Sequence, residues 1–166
     1  MYRVFLGLGS NLGDRAAYLQ RAVGELRRLP GTSLVWVSPV YESDPYGRTD
    51  QPKFLNAALE LGTPLAPRAL LDAVKDAEAA VGRTPGERWG PREIDIDILL
   101  YDGLVEDDGT VKVPHPGLPE RRFVLIPLRD IAEDVVHPVS GLTVAEMAAA
   151  CPDTTRVVRS AYHIRV

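Results

Sequence analysis

Residues 94–98 read Ile-Asp-Ile-Asp-Ile, and an extended strand is the conformation that sorts such an alternation cleanly. Successive strand side chains point to opposite faces, so Asp95 and Asp97 share one face while Ile94, Ile96 and Ile98 share the other. The isoleucine face demands a core. The aspartate face has two readings: the solvated side of a half-buried strand, or a site. Two carboxylates roughly 6–7 Å apart along a strand raise each other's pKa unless positive charge sits between them. Magnesium suits that position, because it takes one or two carboxylates and fills its shell with water and phosphate oxygens. Aspartate is depleted in strands, and the adjoining Arg88-Trp89-Gly90-Pro91-Arg92 sets arginines beside the pair. Arginine is the side chain best shaped for phosphate. Carboxylates for metal and arginines for phosphate together are the inventory of phosphoryl transfer.

The segments around this strand have patterns of their own. Tyr2–Leu8 is a buried-type strand. Asp14 is an N-cap for a helix to about Leu29, with Leu19, Val23 and Leu26 on one face. Leu34–Tyr41 is a strand, Glu42–Pro52 a polar loop rich in turn formers, and Phe54–Leu61 a third strand. Pro67 opens a second helix, with Leu70, Val74, Ala77 and Val81 at helical spacing and Gly82 at its end. Arg83–Arg92 is a second long loop before the strand Asp95–Tyr101. A small hairpin is expected over Leu104–Val113. Phe123–Leu128 is an apolar run, and Thr143–Ala150 a short helix. The order β-α-β-β-α-β predicts an α+β fold with a ferredoxin-like core. Its sheet would be mostly antiparallel with two helices on one face, followed by additional C-terminal strands and a short helix. The 166 residues suit a single domain over 1–166.

Charge and composition remove several classes. A net charge of −4 offers no global basic field for nucleic acid, although a local positive site could hold a small anion. The single Cys151 leaves no intrachain disulfide and no cysteine cluster for zinc. No apolar stretch reads as a membrane span, and Met1–Asn11 is too poor in apolar residues for a signal peptide. The expected location is therefore the cytoplasm.

Gly7-Leu8-Gly9-Ser10-Asn11-Leu12-Gly13 superficially matches a dinucleotide fingerprint. Its spacing is GxGxxxG, one residue too long, and no βαβ repeat follows. The better reading is a tight turn needing positive φ, with Asn11 and Asp14 satisfying helix-end amides. Glu78 is either a border residue of its helix or a carboxylate aimed at a site beside Arg83. Phe54 and Asn56 share a strand face, where an aromatic plane beside an amide could hold a flat heterocycle; Phe54 could equally be core. His115, fixed between Pro114 and Pro116, is either solvated or a phosphate contact close to Arg121. His137 and His163 read as structural.

Six segments in order resemble the 6-hydroxymethyl-7,8-dihydropterin pyrophosphokinase family. They are GLGSNLGD (Gly7–Asp14), DQPKFLNA (Asp50–Ala57), Leu70–Arg83, RWGPREIDIDILL (Arg88–Leu100), VPHP (Val113–Pro116) and ERRFVLIPL (Glu120–Leu128). The resemblance implies an ATP-dependent diphosphokinase of folate biosynthesis. It would transfer pyrophosphate from ATP to the pterin hydroxymethyl group and release AMP, with a pair of magnesium ions held by Asp95 and Asp97. It further implies Arg83 and Arg92, with Asp97, as catalytic residues, and Glu78, Trp89, Ile98, His115 and Arg121 around ATP. Phe54, Asn56 and Phe123 would hold the pterin, with backbone contacts from Ser43, Asp44 and Tyr46. Asp97 or a metal-bound hydroxymethyl would manage the proton. Pro85 departs from the family pattern, in which a second arginine is common there. A monomer is expected, with small molecules as partners and no nucleic acid or membrane.

Overall fold

The computed structural model describes residues 1–166. Its centre is an antiparallel sheet. β1 (Tyr2–Ser10) lies between β4 (Phe54–Thr63) and β5 (Asp95–Tyr101). β2 (Ser33–Val37) and β3 (Tyr41–Ser43) both pair with β4, and β8 (Val157–Arg159) pairs with β3. The order β5-β1-β4-β3-β8 contains the expected ferredoxin-like core. The segment read as one strand over 34–41 is two. Pro39 has no N–H for a ladder, and at the break Ser38 takes over. Its N–H donates to the Ala58 carbonyl at 2.8 Å, and its Oγ accepts from the Ala58 N–H at 2.8 Å.

Helices α1 (Arg15–Arg27) and α2 (Pro67–Val81) lie on one face. Asp14 caps α1 by accepting from Ala17 N, as its side-chain chemistry predicts. Leu19, Val23 and Leu26 from α1 and Leu70 and Val74 from α2 pack against Val4, Leu6, Leu8, Ile94, Ile96 and Ile98 to form the larger core. Gly82 ends α2 at φ 124, a backbone that favours glycine.

The second face is also covered, which the expectation of helices on one face does not include. The apolar run at 123–128 is the centre of helix α3 (Arg122–Ala132), which packs with α4 (Val144–Ala150) over Phe5, Ala58, Leu99 and Leu100. Pro127 lies inside α3. A short hairpin, β6 (Glu106–Asp107) with β7 (Lys112–Val113), follows β5 as expected. No helix is long and apolar enough to cross a membrane.

This second face positions the site. α3 and α4 cover the end of the sheet that carries Phe5 and Leu99. The other end, carrying Gly7, Gly9, Asn56, Asp95 and Asp97, stays open. Its residues therefore line a cleft instead of filling a core.

Candidate active site

The cleft has Gly7 and Gly9 as its floor, with Ser43, Asp44, Tyr46, Phe54, Asn56, Trp89 and Phe123 around it. A Cβ on Gly9 would lie 3.4 Å from Asn56 Oδ1 and 3.5 Å from the Phe54 ring, so glycine lets both side chains lie over β1. Asn56 is buried, and its Nδ2 donates to Ser43 Oγ at 2.7 Å. That bond fixes the orientation of the amide and leaves Oδ1 free of a protein donor in the bonds described. Phe123, in the first turn of α3, sits 5.6 Å from the tilted ring of Tyr46. An apolar slot with one oriented amide suits a planar, hydrogen-bonding heterocycle.

At one end of the slot the carboxylates of β5 meet the arginines. Glu78, buried on α2, accepts from the Ile96 N–H and from Arg83 Nη1, both at 2.8 Å, through Oε2. Arg83 Nη1 also donates to Asp95 Oδ1 at 3.0 Å, and Arg92 Nη1 to Asp95 Oδ2 at 3.1 Å. One chain of charge thus runs Glu78–Arg83–Asp95–Arg92. Burial pushes the Glu78 carboxyl up from its usual range, against the opposing pull of the Ile96 amide and Arg83.

Asp97 is treated differently. The His115 ring lies beside it, with Nε2 4.0 Å from Asp97 Oδ1. Burial, then the neighbouring Asp95, raises its carboxyl to about 7. His115 is held neutral: burial and then Arg121 lower it to about 4, and its Nδ1 accepts from the Gly117 N–H at 3.0 Å. Asp97 is thus a carboxylate short of positive charge. No cluster of three or more acidic, histidine or cysteine side chains could hold a metal alone. Two carboxylates are what magnesium takes when substrate oxygens and water complete its shell, so the donor set fits that ion.

Beyond the carboxylates the cleft passes over the β5 edge into a second hollow. There Glu78, Ile98, His115, Arg83, Asp95 and Asp97 lie with Leu71, Lys75 and the Thr110–Val113 backbone. Leu71 and Lys75 were missed by sequence reasoning, although their spacing from Glu78 at i, i+4 and i+7 puts them on one helix side. The exposed Arg83–Arg92 loop borders a third hollow joining the other two, with Arg121 and His115 opposite. Trp89 on this loop has φ 64. The Arg121 guanidinium lies 5.8 Å from its ring and 5.9 Å from that of Tyr46. All fifteen candidate residues named from the sequence thus line connected hollows.

Comparison with known proteins follows the same lines. The profile of the 7,8-dihydro-6-hydroxymethylpterin-pyrophosphokinase (HPPK) family matches residues 5–133. The chain is 48% identical over 149 residues to a 2-amino-4-hydroxy-6-hydroxymethyldihydropteridine pyrophosphokinase of Methylorubrum extorquens, covering 90% of this chain and 93% of that one. It is 47% identical over 150 residues to the protein of the same name from Pseudomonas aeruginosa, covering 90% and 92%. Among solved structures, a Plasmodium falciparum HPPK-DHPS matches with a TM-score of 0.70 at 15% identity, which is a likeness of fold. That match covers 90% of this chain and 43% of the solved one.

Proposed function

This chain belongs to the 7,8-dihydro-6-hydroxymethylpterin-pyrophosphokinase family, and from that premise we propose which of its residues carry the reaction. The enzyme transfers pyrophosphate from ATP to 6-hydroxymethyl-7,8-dihydropterin, giving the pterin diphosphate and AMP, in folate biosynthesis. The observation behind the residue assignment is the meeting of Asp95 and Asp97 with Arg83, Arg92 and Arg121 where the aromatic slot and the α2-side hollow join.

The slot takes the pterin. Phe54 and Phe123 supply its apolar walls, Asn56 reads the ring edge, and Ser43, Asp44 and Tyr46 close the side. The hollow beside α2 takes ATP, against Ile98, Glu78, His115 and the backbone of β7. Neutral His115 can offer a hydrogen bond there without adding charge. Substrates so seated would bring the hydroxymethyl group and the β-phosphorus together, and alignment of reacting groups is itself a large part of catalysis.

Asp95 and Asp97 would hold a pair of magnesium ions. Magnesium held there would supply charge neutralisation for the phosphates. Asp95 pairs with both Arg83 and Arg92. Phosphate oxygens of ATP would be a better-matched partner for these guanidinia, whose fork geometry suits phosphate. The guanidinia then stabilise charge that grows on the transferring group. Arg121 faces the same region and Trp89 covers it, excluding water. The protein acts on small molecules, and we read it as a cytoplasmic monomer working as one domain over 1–166.

The test is AMP release from ATP, followed by chromatography. AMP should appear only when both magnesium and 6-hydroxymethyl-7,8-dihydropterin are present, in equal amount with the pterin diphosphate. AMP formed at the same rate without the pterin would sink the assignment.

A further inference from the structure

Asn11 is 1% exposed at the end of β1, and nothing in the reaction just described uses it. Its amide is fully engaged. Oδ1 accepts from the Arg92 N–H at 2.9 Å, while the Asn11 N–H donates to the Arg92 carbonyl at 3.1 Å. Nδ2 donates to the Pro52 carbonyl at 3.0 Å and to Gln51 Oε1 at 2.9 Å. Gln51 Nε2 donates in turn to the carbonyls of Trp89 at 2.8 Å and Arg48 at 2.7 Å. The path leaves the arginine loop at the Arg92 N–H and returns to it at the Trp89 carbonyl. It closes a ring around the turn 89–92.

The ring has a fixed direction. The Arg92 N–H requires an acceptor, so Nδ2 of Asn11 must face Gln51. Gln51 must then present Oε1, which leaves Nε2 for Trp89. Reversing either amide alone sets donor against donor or acceptor against acceptor. Within this ring Trp89 takes φ 64, a backbone that a bulky residue adopts only where its surroundings impose it.

We propose that Asn11 and Gln51 are positioning residues of the pyrophosphoryl transfer. Their amide relay sets the 89–92 turn, so that the Trp89 indole and the Arg92 guanidinium are presented to the cleft together. It also ties this turn to the pterin-side segment 44–53. The inference rests on the family assignment and adds residues that act through Trp89 and Arg92 without lining the slot or the hollows. A ligand that orders one segment lowers the cost of ordering the other, so nucleotide and pterin reinforce each other's binding through the relay.

Asn11→Asp and Gln51→Glu test this with almost unchanged shape. Asn11→Asp keeps the acceptor for the Arg92 N–H and turns an oxygen toward Pro52 O and Gln51 Oε1. Gln51→Glu does the same toward the Trp89 and Arg48 carbonyls. Each should lower kcat roughly 10- to 100-fold. By calorimetry, affinity for each ligand alone should stay within about threefold of the parent. The gain in pterin affinity produced by a non-hydrolysable magnesium-ATP analogue should fall toward unity. The double variant should be no worse than the worse single one, because one break already opens the ring. A Gln51→Glu kcat within about twofold of the parent, additive losses, or an undiminished gain overturns the proposal. Should Asn11→Asp fail to fold, Gln51→Glu decides alone through kcat and the gain. Magnesium- and pterin-dependent AMP release by the parent is the control. Its absence would count against the assigned reaction, not the relay.

Discussion

At Asp95 two arginines of one long loop converge on the two oxygens of one carboxylate, while Asp97, on the same strand face, has no arginine hydrogen-bonded to it. Asp95→Asn and Asp97→Asn should each lower turnover by about 100-fold or more, because each weakens charge stabilisation in the transition state. Circular dichroism should be unchanged. Near-normal turnover in either variant would remove it from the metal assignment. Glu78 shows what single residues reveal in sequence. Its spacing near the edge of an apolar helix face permits a border residue or a site residue. The structure buries it against the Ile96 amide and Arg83. Glu78→Leu leaves both donors without their shared acceptor, so it should destabilise the fold by about 1–3 kcal/mol, read as a lower urea midpoint. An unchanged midpoint would mean that the buried bonds contribute little. Asn11 and Gln51 could not be read in this way. Their partners are far away in sequence, Asn11 in a glycine-rich turn is explained well enough by local capping, and Gln51 lies in a polar loop.

At the scale of elements, periodicity identified α1, α2 and the strands of the central core, and failed where proline interrupts. Pro39 should have divided the segment 34–41, since it can give no ladder hydrogen bond. Pro127 had the opposite effect. It masks α3, because a proline argues against a helix interior even where, as here, apolar burial carries the helix through. Phe123 and Arg121 were legible as residues, but that they stand at a helix start was not. The turn between α3 and α4 carries a prediction of its own. His137 is buried, and its Nδ1 accepts from the N–H groups of Val139 at 3.3 Å and Ser140 at 3.1 Å. Burial lowers its pKa below the ordinary 6.5. The unfolded chain therefore takes up a proton that the folded chain resists. Stability from this group is complete above about pH 6.5 and lost as the pH falls below it. An asparagine side chain at this position could accept through Oδ1 without titrating, so His137→Asn should flatten the loss of stability between about pH 6.5 and 5. Parallel curves for parent and variant would show that His137 does not drive it.

For the molecule as a whole, the alternating strand and the element order were enough to place the sheet and one helical layer. Of the second layer only the short helix α4 was legible, not α3 or the face they cover, and it is this layer that leaves part of the sheet open as a cleft. The tryptophans report on that cleft unequally. Trp36 is 61% exposed on β2 and lines none of the three connected hollows, while Trp89 stands over them. If the Arg83–Arg92 loop closes as a lid, the emission of Trp89 in a Trp36→Phe background should shift more with both ligands than with pterin alone. An identical response to every ligand combination would exclude lid closure. The pairing of β8 with β3 governs when the molecule becomes safe. The partners Tyr41 and Arg159 stand more than two thirds of the chain apart, so a growing chain carries β3, with Ser43 beside the pterin slot, as a raw strand edge until residues 157–159 are made. Closing the longest loop comes at the greatest entropic delay, and raw edges recruit neighbouring chains. Damage to β8 should therefore announce itself in time before it does in activity. Val158→Pro should scatter light during refolding from urea at concentrations where the parent stays clear, while the fraction that does fold still binds nucleotide.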